Sequence, residues 1–268
     1  MENNKIYIGD TLTTLRTFPD EYFDITVTSP PYNKMGVAGG LVKEVEYKNT
    51  NDIQNEDDYQ VDQIQVLNEL FRVTKTGGHI FYNHKLRWIH GLMIHPIGWI
   101  FQSKWVGNIR QEIVWDRIIA GNLRGWRFWQ VEERIYWMQK GITKGEELKS
   151  KHAKMTSIWR IYPETGVKDH PAPFPIAIPT RCIYSIADEK QGLNILDPYC
   201  GSGTTLISAA CLGHNFVGID SCAEYAAIAE KRMIDPIEIL AVAEETSIHQ
   251  VNKSYAERKA KKRKNSSG

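Results

Sequence analysis

Two short runs hold the side chains whose types and spacing could do chemistry. Ser29-Pro30-Pro31-Tyr32 places a hydroxyl, the Pro30 carbonyl and an aromatic ring on one stretch, and its two prolines stiffen the backbone and remove N–H donors. Such a loop can accept N–H hydrogen bonds from a flat, amino-bearing ring and stack against its face. The second run is Asp197-Pro198-Tyr199-Cys200-Gly201-Ser202-Gly203-Thr204-Thr205. Glycines at 201 and 203 let a ligand approach the backbone closely, and a helix beginning near Thr204 would turn its free N–H groups toward it. Asp220 ends the next apolar run, roughly 20 residues on, where a carboxylate can take ribose hydroxyls. Position 206 is leucine rather than the third glycine of a dinucleotide fingerprint. A nucleoside-containing cofactor is therefore expected, and not a pyrophosphate.

These residues need strands and helices to hold them. Phe23-Asp24-Ile25-Thr26-Val27-Thr28 and Leu193-Asn194-Ile195-Leu196 are apolar runs that stop where the two motifs start. Each motif is thus expected at the carboxyl end of a buried strand, the edge of an open α/β sheet where ligands bind. Ile6-Tyr7-Ile8, His79 to Asn83 and Phe216 to Ile219 read as further strands. Asp10 is a plausible helix N-cap with Leu12 and Leu15 on one face. A longer helix is expected with Val61, Ile64, Leu67, Leu70 and Phe71 inward, ending at Thr76-Gly77-Gly78. Further helices are expected over 178–186, 204–212 and 223–233. The alternation predicts an α/β fold: a doubly wound, mostly parallel sheet covered on both faces. Residues 34–57 read as a loop, and no internal repeat is evident.

The bulk properties narrow the function classes. A hydrophobic fraction of 42% over 268 residues supports a sizeable core. No run reaches the about 18 apolar residues of a membrane span, and the polar N-terminus has no signal-peptide core, so a cytoplasmic protein is expected. None of the four cysteines forms a Cys-x-x-Cys pair, so no zinc site is expected. Residues 251–268 carry seven Lys/Arg against one Glu, and the net charge of +1 for the whole chain leaves about −5 on the rest. That tail suits a phosphate backbone or a solvated terminus.

The two motifs together resemble the signature motifs of the amino-group DNA methyltransferases, which use S-adenosylmethionine. The resemblance implies the Rossmann-like methyltransferase fold, a catalytic loop at Ser29, Pro30, Pro31 and Tyr32, and cofactor contacts from Asp10, Thr11, Asp197, Tyr199, Gly201, Ser202, Gly203, Thr204, Thr205 and Asp220. An exocyclic amino nitrogen is a poor nucleophile because its lone pair is delocalised into the ring. Acceptors at Ser29 Oγ and the Pro30 carbonyl would hold it pyramidal, and Tyr32 would stack on a flipped base. The catalytic loop has no cysteine, so a 5-methylcytosine mechanism is not expected. In that family Ser29 at the first position points to N4 of cytosine, with N6 of adenine the alternative. The catalytic motif precedes the cofactor motif, which is the family's β-group order. His170-Pro171-Ala172-Pro173-Phe174-Pro175 matches the segment just before the cofactor motif.

Residues 104–137 hold five of the eight tryptophans interleaved with Arg110, Arg117, Arg124, Arg127 and Arg134. Aromatic and cationic side chains in alternation suit DNA contact. Arg124, Trp126 and Arg127 are the candidate DNA-binding residues, while Trp115, Ile135, Tyr136 and Trp137 read as core strand. The domain expectation is a catalytic and cofactor-binding part at 1–103 and 168–235, a target-recognition insert at 104–167 and a C-terminal extension at 236–268. Double-stranded DNA is the expected partner, with no membrane, and a homodimer and a cognate restriction endonuclease are further candidates. Competing readings are methylation of RNA or a protein amide, and a DNA-binding module without catalysis.

Overall fold

A computed structural model describes residues 1–33, 54–120, 125–141, 148, 155–164 and 175–233. The expectations for residues 34–53 of the 34–57 loop, Arg124, the His170–Phe174 segment and the basic tail lie outside the described residues; at the end of that loop Glu56 and Asp57 are instead the first residues of a helix.

One eight-stranded sheet organises the chain. Its strands are β1 (Lys5–Ile8), β2 (Phe23–Thr28), β3 (Thr74–His84), β6 (Ile109–Asp116), β7 (Glu132–Gln139), β8 (Ile158–Arg160), β9 (Asn194–Asp197) and β10 (Asn215–Asp220). They lie in the order β1-β10-β9-β2-β3-β7-β6-β8. β4 (Arg87–Ile89) and β5 (Leu92–Ile94) form a separate antiparallel hairpin. The helices are α1 (Thr11–Leu15), α2 (Glu56–Val73), α3 (Ile97–Ile100), α4 (Ala177–Ala187), α5 (Thr204–Cys211) and α6 (Ala223–Met233). Neighbouring strands from β1 through β3 are parallel, whereas β7 runs antiparallel to both β3 and β6.

Apolar residues bury on both sheet faces, which is why the parallel strands lack alternation. On one face Leu15, Leu67, Leu70, Trp99 and Trp105 pack with Ile80, Tyr82, Leu196 and Val217. On the other, Ile178, Cys182, Leu206, Ala226 and Ala229 pack with Ile25, Val27, Ile135 and Ile195.

Two expectations about α2 are corrected. The helix ends at Val73, and Thr74 to Gly78 already belong to β3. The Thr74 hydroxyl donates to the Leu70 carbonyl at 2.6 Å and closes the last turn, so the glycines are not its cap. Its buried stripe is Tyr59, Gln63, Val66, Leu67, Leu70 and Val73, while Val61 is half exposed. Gln63 replaces an apolar residue on that stripe because Tyr82 Oη donates to its Oε1 at 2.8 Å. Asn55 caps the helix by accepting from the Asp57 N–H at 2.9 Å, and Glu56, Asp57 and Asp58 complement the dipole of the first turn.

Trp115, Ile135, Tyr136 and Trp137 lie buried in β6 and β7, as expected. Those strands belong to the central sheet. Residues 117–131 connect them.

Candidate active site

The site sits where the chain changes direction in the sheet. From β2, α2 leads to β3 on one side; from β9, α5 leads to β10 on the other. β2 and β9 are neighbours, with Ile25 opposite Ile195 and Thr26 opposite Leu196. The crossovers diverge at this gap, the switch point at which open α/β sheets bind ligands. Both motifs leave the sheet there. Thr28 Oγ donates to Asp197 Oδ1 at 2.9 Å, joining the last residue before the Ser29–Tyr32 loop to the first residue of the glycine motif.

The glycine motif is shaped by its neighbours. Gly203 has φ +80°, and a Cβ there would lie 2.6 Å from Ala229 Cβ on α6. Gly218 on β10 is equally confined, since a Cβ would meet Leu206 Cδ1 at 2.7 Å. Arg232 on α6 donates to the Ser202 carbonyl at 2.7 Å, the Ser202 hydroxyl at 2.9 Å and the Thr204 hydroxyl at 3.3 Å. Ser202, Thr204 and Thr205 are buried beneath the turn. Asp220 Oδ2 accepts from the Gly201 N–H and its Oδ1 from the Cys222 N–H, both at 2.8 Å, so this carboxylate fixes the loop as well as facing its edge. Asp10 caps α1 by accepting from the Thr13 N–H at 2.8 Å. Thr11 Oγ donates to the Pro198 carbonyl at 2.9 Å and ties α1 to the motif.

Two carboxyl groups give this pocket its electrostatics. Burial pushes the Asp197 carboxyl up to about 6, against hydrogen bonds from Thr205, Tyr199 and Thr28 that favour its charge. Burial also raises Asp220, whose charge in turn pushes Asp197 upward. A site with two desolvated carboxylates and a glycine turn fits a nucleoside that carries positive charge. Among the described residues no group of three or more His, Cys, Asp or Glu could hold a metal ion.

The Ser29–Tyr32 loop rests on residues the sequence did not single out. Tyr32 Oη donates to Glu133 Oε2 at 2.9 Å and lies 2.6 Å from Ser29 Oγ. Asn83 Nδ2 donates to Tyr32 Oη at 2.7 Å, to Glu133 Oε2 at 2.9 Å and to Ser29 Oγ at 3.4 Å. Arg117 Nη1 donates to Glu133 Oε1 at 3.1 Å. Glu133 is only 6% exposed. It comes from the start of β7 and Asn83 from the end of β3, so the antiparallel pair β3–β7 forms the floor beneath the loop.

The other side of the loop is equally held. Tyr59 Oη donates to the Pro31 carbonyl at 2.7 Å and lies 2.7 Å from His84 Nε2. Burial, reinforced by Arg87, keeps the His84 imidazole well below its usual value. The His84 ring lies 4.6 Å from the Tyr32 ring, and Lys85 Nζ is 5.4 Å from the centroid of the same Tyr32 ring. Arg87 pairs with Glu56 through contacts of 2.6 and 2.7 Å, and Glu56 also accepts from Asn33. Asn33 is buried with φ +49° and accepts from the Gln54 N–H at 2.8 Å.

Of the candidate DNA contacts, Trp126 is 54% exposed and Arg127 lies between aromatic rings, 3.8 Å from the centroid of Trp88 and 5.5 Å from that of Trp126.

Comparison with known proteins agrees with this geometry. The chain matches a family model described as DNA methylase over residues 23–231. It is 28% identical over 260 residues to the Type II methyltransferase M.HinfI of Haemophilus influenzae, covering 86% of this chain and 68% of that protein. It is 28% identical over 260 residues to the Type II methyltransferase M.ScaI of Streptomyces caespitosus, covering 85% and 80%. The fold matches PvuII DNA methyltransferase (cytosine-N4-specific) with a TM-score of 0.69 at 18% identity, over 92% of this chain and 93% of that one. It also matches a DNA modification methylase of Thermus thermophilus in complex with S-adenosyl-L-methionine, with a TM-score of 0.63 at 22% identity over 87% and 94%.

Proposed function

The chain belongs to the DNA methylase family of the N6/N4 type, S-adenosylmethionine-dependent DNA methyltransferases, and from that premise we propose that it methylates the N4 amino group of cytosine in duplex DNA, reached by base flipping. N6 of adenine is the second reading, since the family includes both. The cytosine reading is supported by Ser29 at the head of the loop and by the fold likeness to a cytosine-N4-specific enzyme.

The observation that carries the proposal is the direction of hydrogen bonding at the loop. Glu133 can only accept, so the single proton of Tyr32 Oη is committed to it. Ser29 would then donate its own proton to Tyr32 Oη, and beside the long 3.4 Å contact from Asn83 one lone pair of Ser29 Oγ is left for the substrate. An amino nitrogen offers N–H groups, and an acceptor is what it needs. With the Pro30 carbonyl as second acceptor, the nitrogen is held with its lone pair out of the ring plane. The Tyr32 ring is the proposed stacking face for the base.

Asp197, Tyr199, Gly201, Gly203 and Asp220 are the proposed cofactor contacts, with Asp10 and Thr11 at the adjoining α1, and Ser202, Thr204 and Thr205 shaping the turn from beneath. When bound, S-adenosylmethionine supplies an electrophilic methyl group on a sulfonium, and that reactivity removes the need for a strong base.

Arg124, Trp126 and Arg127 are the proposed DNA contacts, with target recognition assigned to the 104–167 region and catalysis to 1–103 and 168–235, although β6, β7 and β8 of the former region complete the central sheet and β7 supplies Glu133 to the loop. The Type II relatives support a role in a restriction-modification system, with a cognate endonuclease and a homodimer as proposed partners. The test is incubation of unmodified duplex DNA with protein and labelled cofactor, followed by nucleoside mass spectrometry. N4-methylcytosine is expected. N6-methyladenine would select the second reading, and 5-methylcytosine would overturn the assignment of the Ser29 loop.

A further inference from the structure

The β6–β7 connection, residues 117–131, presents an unusual apolar surface. Among its described residues Phe128 is 99% exposed, Trp129 59%, Ile119 55%, Trp126 54% and Ile118 39%. Large apolar side chains left exposed in such number on one connection point to an interaction site. Ile118 is also held at φ +67°, a conformation that a β-branched side chain rarely adopts, and its N–H donates to Asp116 Oδ1 at 2.8 Å.

The base of the connection is fixed to the active site. The Arg117 N–H donates to the Val131 carbonyl at 2.7 Å, and the Arg117 side chain binds Glu133, the acceptor for Tyr32. Gln130 Nε2 donates to the Leu86 carbonyl at 3.3 Å, beside the Lys85 that covers the Tyr32 ring. Phe128 is five residues from Glu133, a reach of at most about 18 Å. Its neighbour Arg127 is stacked on Trp88, which in turn packs edge-on against Trp126 at 6.5 Å. Phe128 thus projects beside a cation–aromatic cluster of Arg127, Trp88 and Trp126.

We propose that Phe128 is a wedge that enters the base stack of duplex DNA and fills the space vacated by the flipped target base. The inference rests on the reading of the protein as a base-flipping amino methyltransferase. A phenyl ring without a polar atom can replace stacking but can read no base edge, so the residue acts on extrusion of the target and not on sequence choice. The cations and the adjoining catalytic floor select DNA over a protein partner for this surface.

The experiment uses the full chain and its Phe128→Ala and Phe128→Leu variants. The modified position is first mapped by sequencing of plasmid DNA treated with wild type. Methyl transfer is then measured on two oligonucleotide duplexes of that sequence, one fully paired and one with an abasic site opposite the target. Phe128→Ala is expected to lower transfer into the paired duplex by about 10- to 100-fold, the scale of one lost aromatic stack. It should recover to within several-fold of wild type on the abasic duplex, where extrusion is already easy. Phe128→Leu should fall between, with unfolding temperature, cofactor affinity and the salt dependence of DNA binding unchanged throughout. Equal rates for Phe128→Ala and wild type on paired DNA would overturn the wedge, as would equal impairment on both duplexes. A lower molecular mass of the Ala variant in sedimentation, with transfer unaffected, would identify the patch as a contact between copies and overturn it too. A wild-type protein that methylates no DNA would instead overturn the functional reading beneath it.

Discussion

The Tyr32 hydroxyl donates to Glu133 Oε2 across 2.9 Å, and that bond sets the polarity of everything above it. It links positions 101 residues apart and ties a strand carboxylate to the Ser29–Tyr32 loop, the proposed catalytic loop. Glu133→Gln keeps shape but offers an amide that can donate in place of accepting. Tyr32 can then turn its proton toward Ser29 and reverse the chain. Turnover should fall by about 10- to 100-fold while cofactor affinity stays within about twofold, the loss of one preorganised partner. Single-turnover kinetics together with calorimetry checks both; unchanged turnover would remove Glu133 from the mechanism.

Ser29→Ala removes the acceptor itself. Transfer should drop by roughly 10²–10³ with cofactor binding intact. Tyr32→Phe should cost less than Tyr32→Ala, because the ring remains while only the link to Glu133 is lost. Rates measured on duplex DNA with labelled cofactor separate the three variants, and a Ser29→Ala protein as active as wild type would refute the role given to the hydroxyl.

Cofactor affinity should depend on pH. In the free protein burial pushes Asp197 up to about 6 and raises Asp220 as well. A cationic ligand favours both charged forms and lowers both values. The free group holds its proton to higher pH than the bound one, so binding releases protons and affinity climbs with pH up to about 6, then levels. Titration calorimetry at about pH 5.5, just below that value, in buffers of different ionisation enthalpy should record that release, and Asp197→Asn should diminish it. Heats that do not vary with buffer would contradict this linkage.

Gly203→Ala tests the turn. A methyl group at φ +80° would be strained and would overlap Ala229 at 2.6 Å. We expect a loss of about 1–3 kcal/mol in stability, read by denaturant unfolding, together with weaker cofactor binding. Gly213→Ala, also at positive φ but meeting the flexible Gln191 side chain at 3.3 Å, should lose stability without losing cofactor affinity.

Asp220→Ala should weaken S-adenosylmethionine binding by about 10- to 100-fold, the scale of a charged hydrogen bond. It also frees the Gly201 and Cys222 N–H groups, so unfolding should occur at lower temperature. Affinity equal to wild type in a folded variant would exclude Asp220 as a ribose contact.

The parallel half of the sheet was legible because its strands are short apolar runs, buried on both faces and ending in motifs of restricted backbone. Phe23 to Thr28 and Asn194 to Asp197 declare themselves in that way. α2 was legible as a helix but not in its facing. Val61 reads as core and is half exposed, while Gln63, not among the residues expected inward, is buried. The reason is the Tyr82 hydroxyl, a partner 19 residues away that no local pattern announces. Glu133 and Asn83 were hidden for the same reason. Each lies in a strand that reads as core, and each acquires its role only through pairing with a distant element.

The order of the strands bears on when the two motifs can meet during folding. Among the described residues β1 pairs with β10 alone, Lys5 lying opposite Val217. β2 must likewise wait for β9, and Thr28 for Asp197. A nascent chain that has already exposed Ser29 to Tyr32 has no edge on which to build the cofactor pocket. The Ser29–Tyr32 loop and the glycine motif therefore assemble as one unit: a chain ending before Asp197 would carry Ser29 to Tyr32 without the neighbouring strand that anchors them.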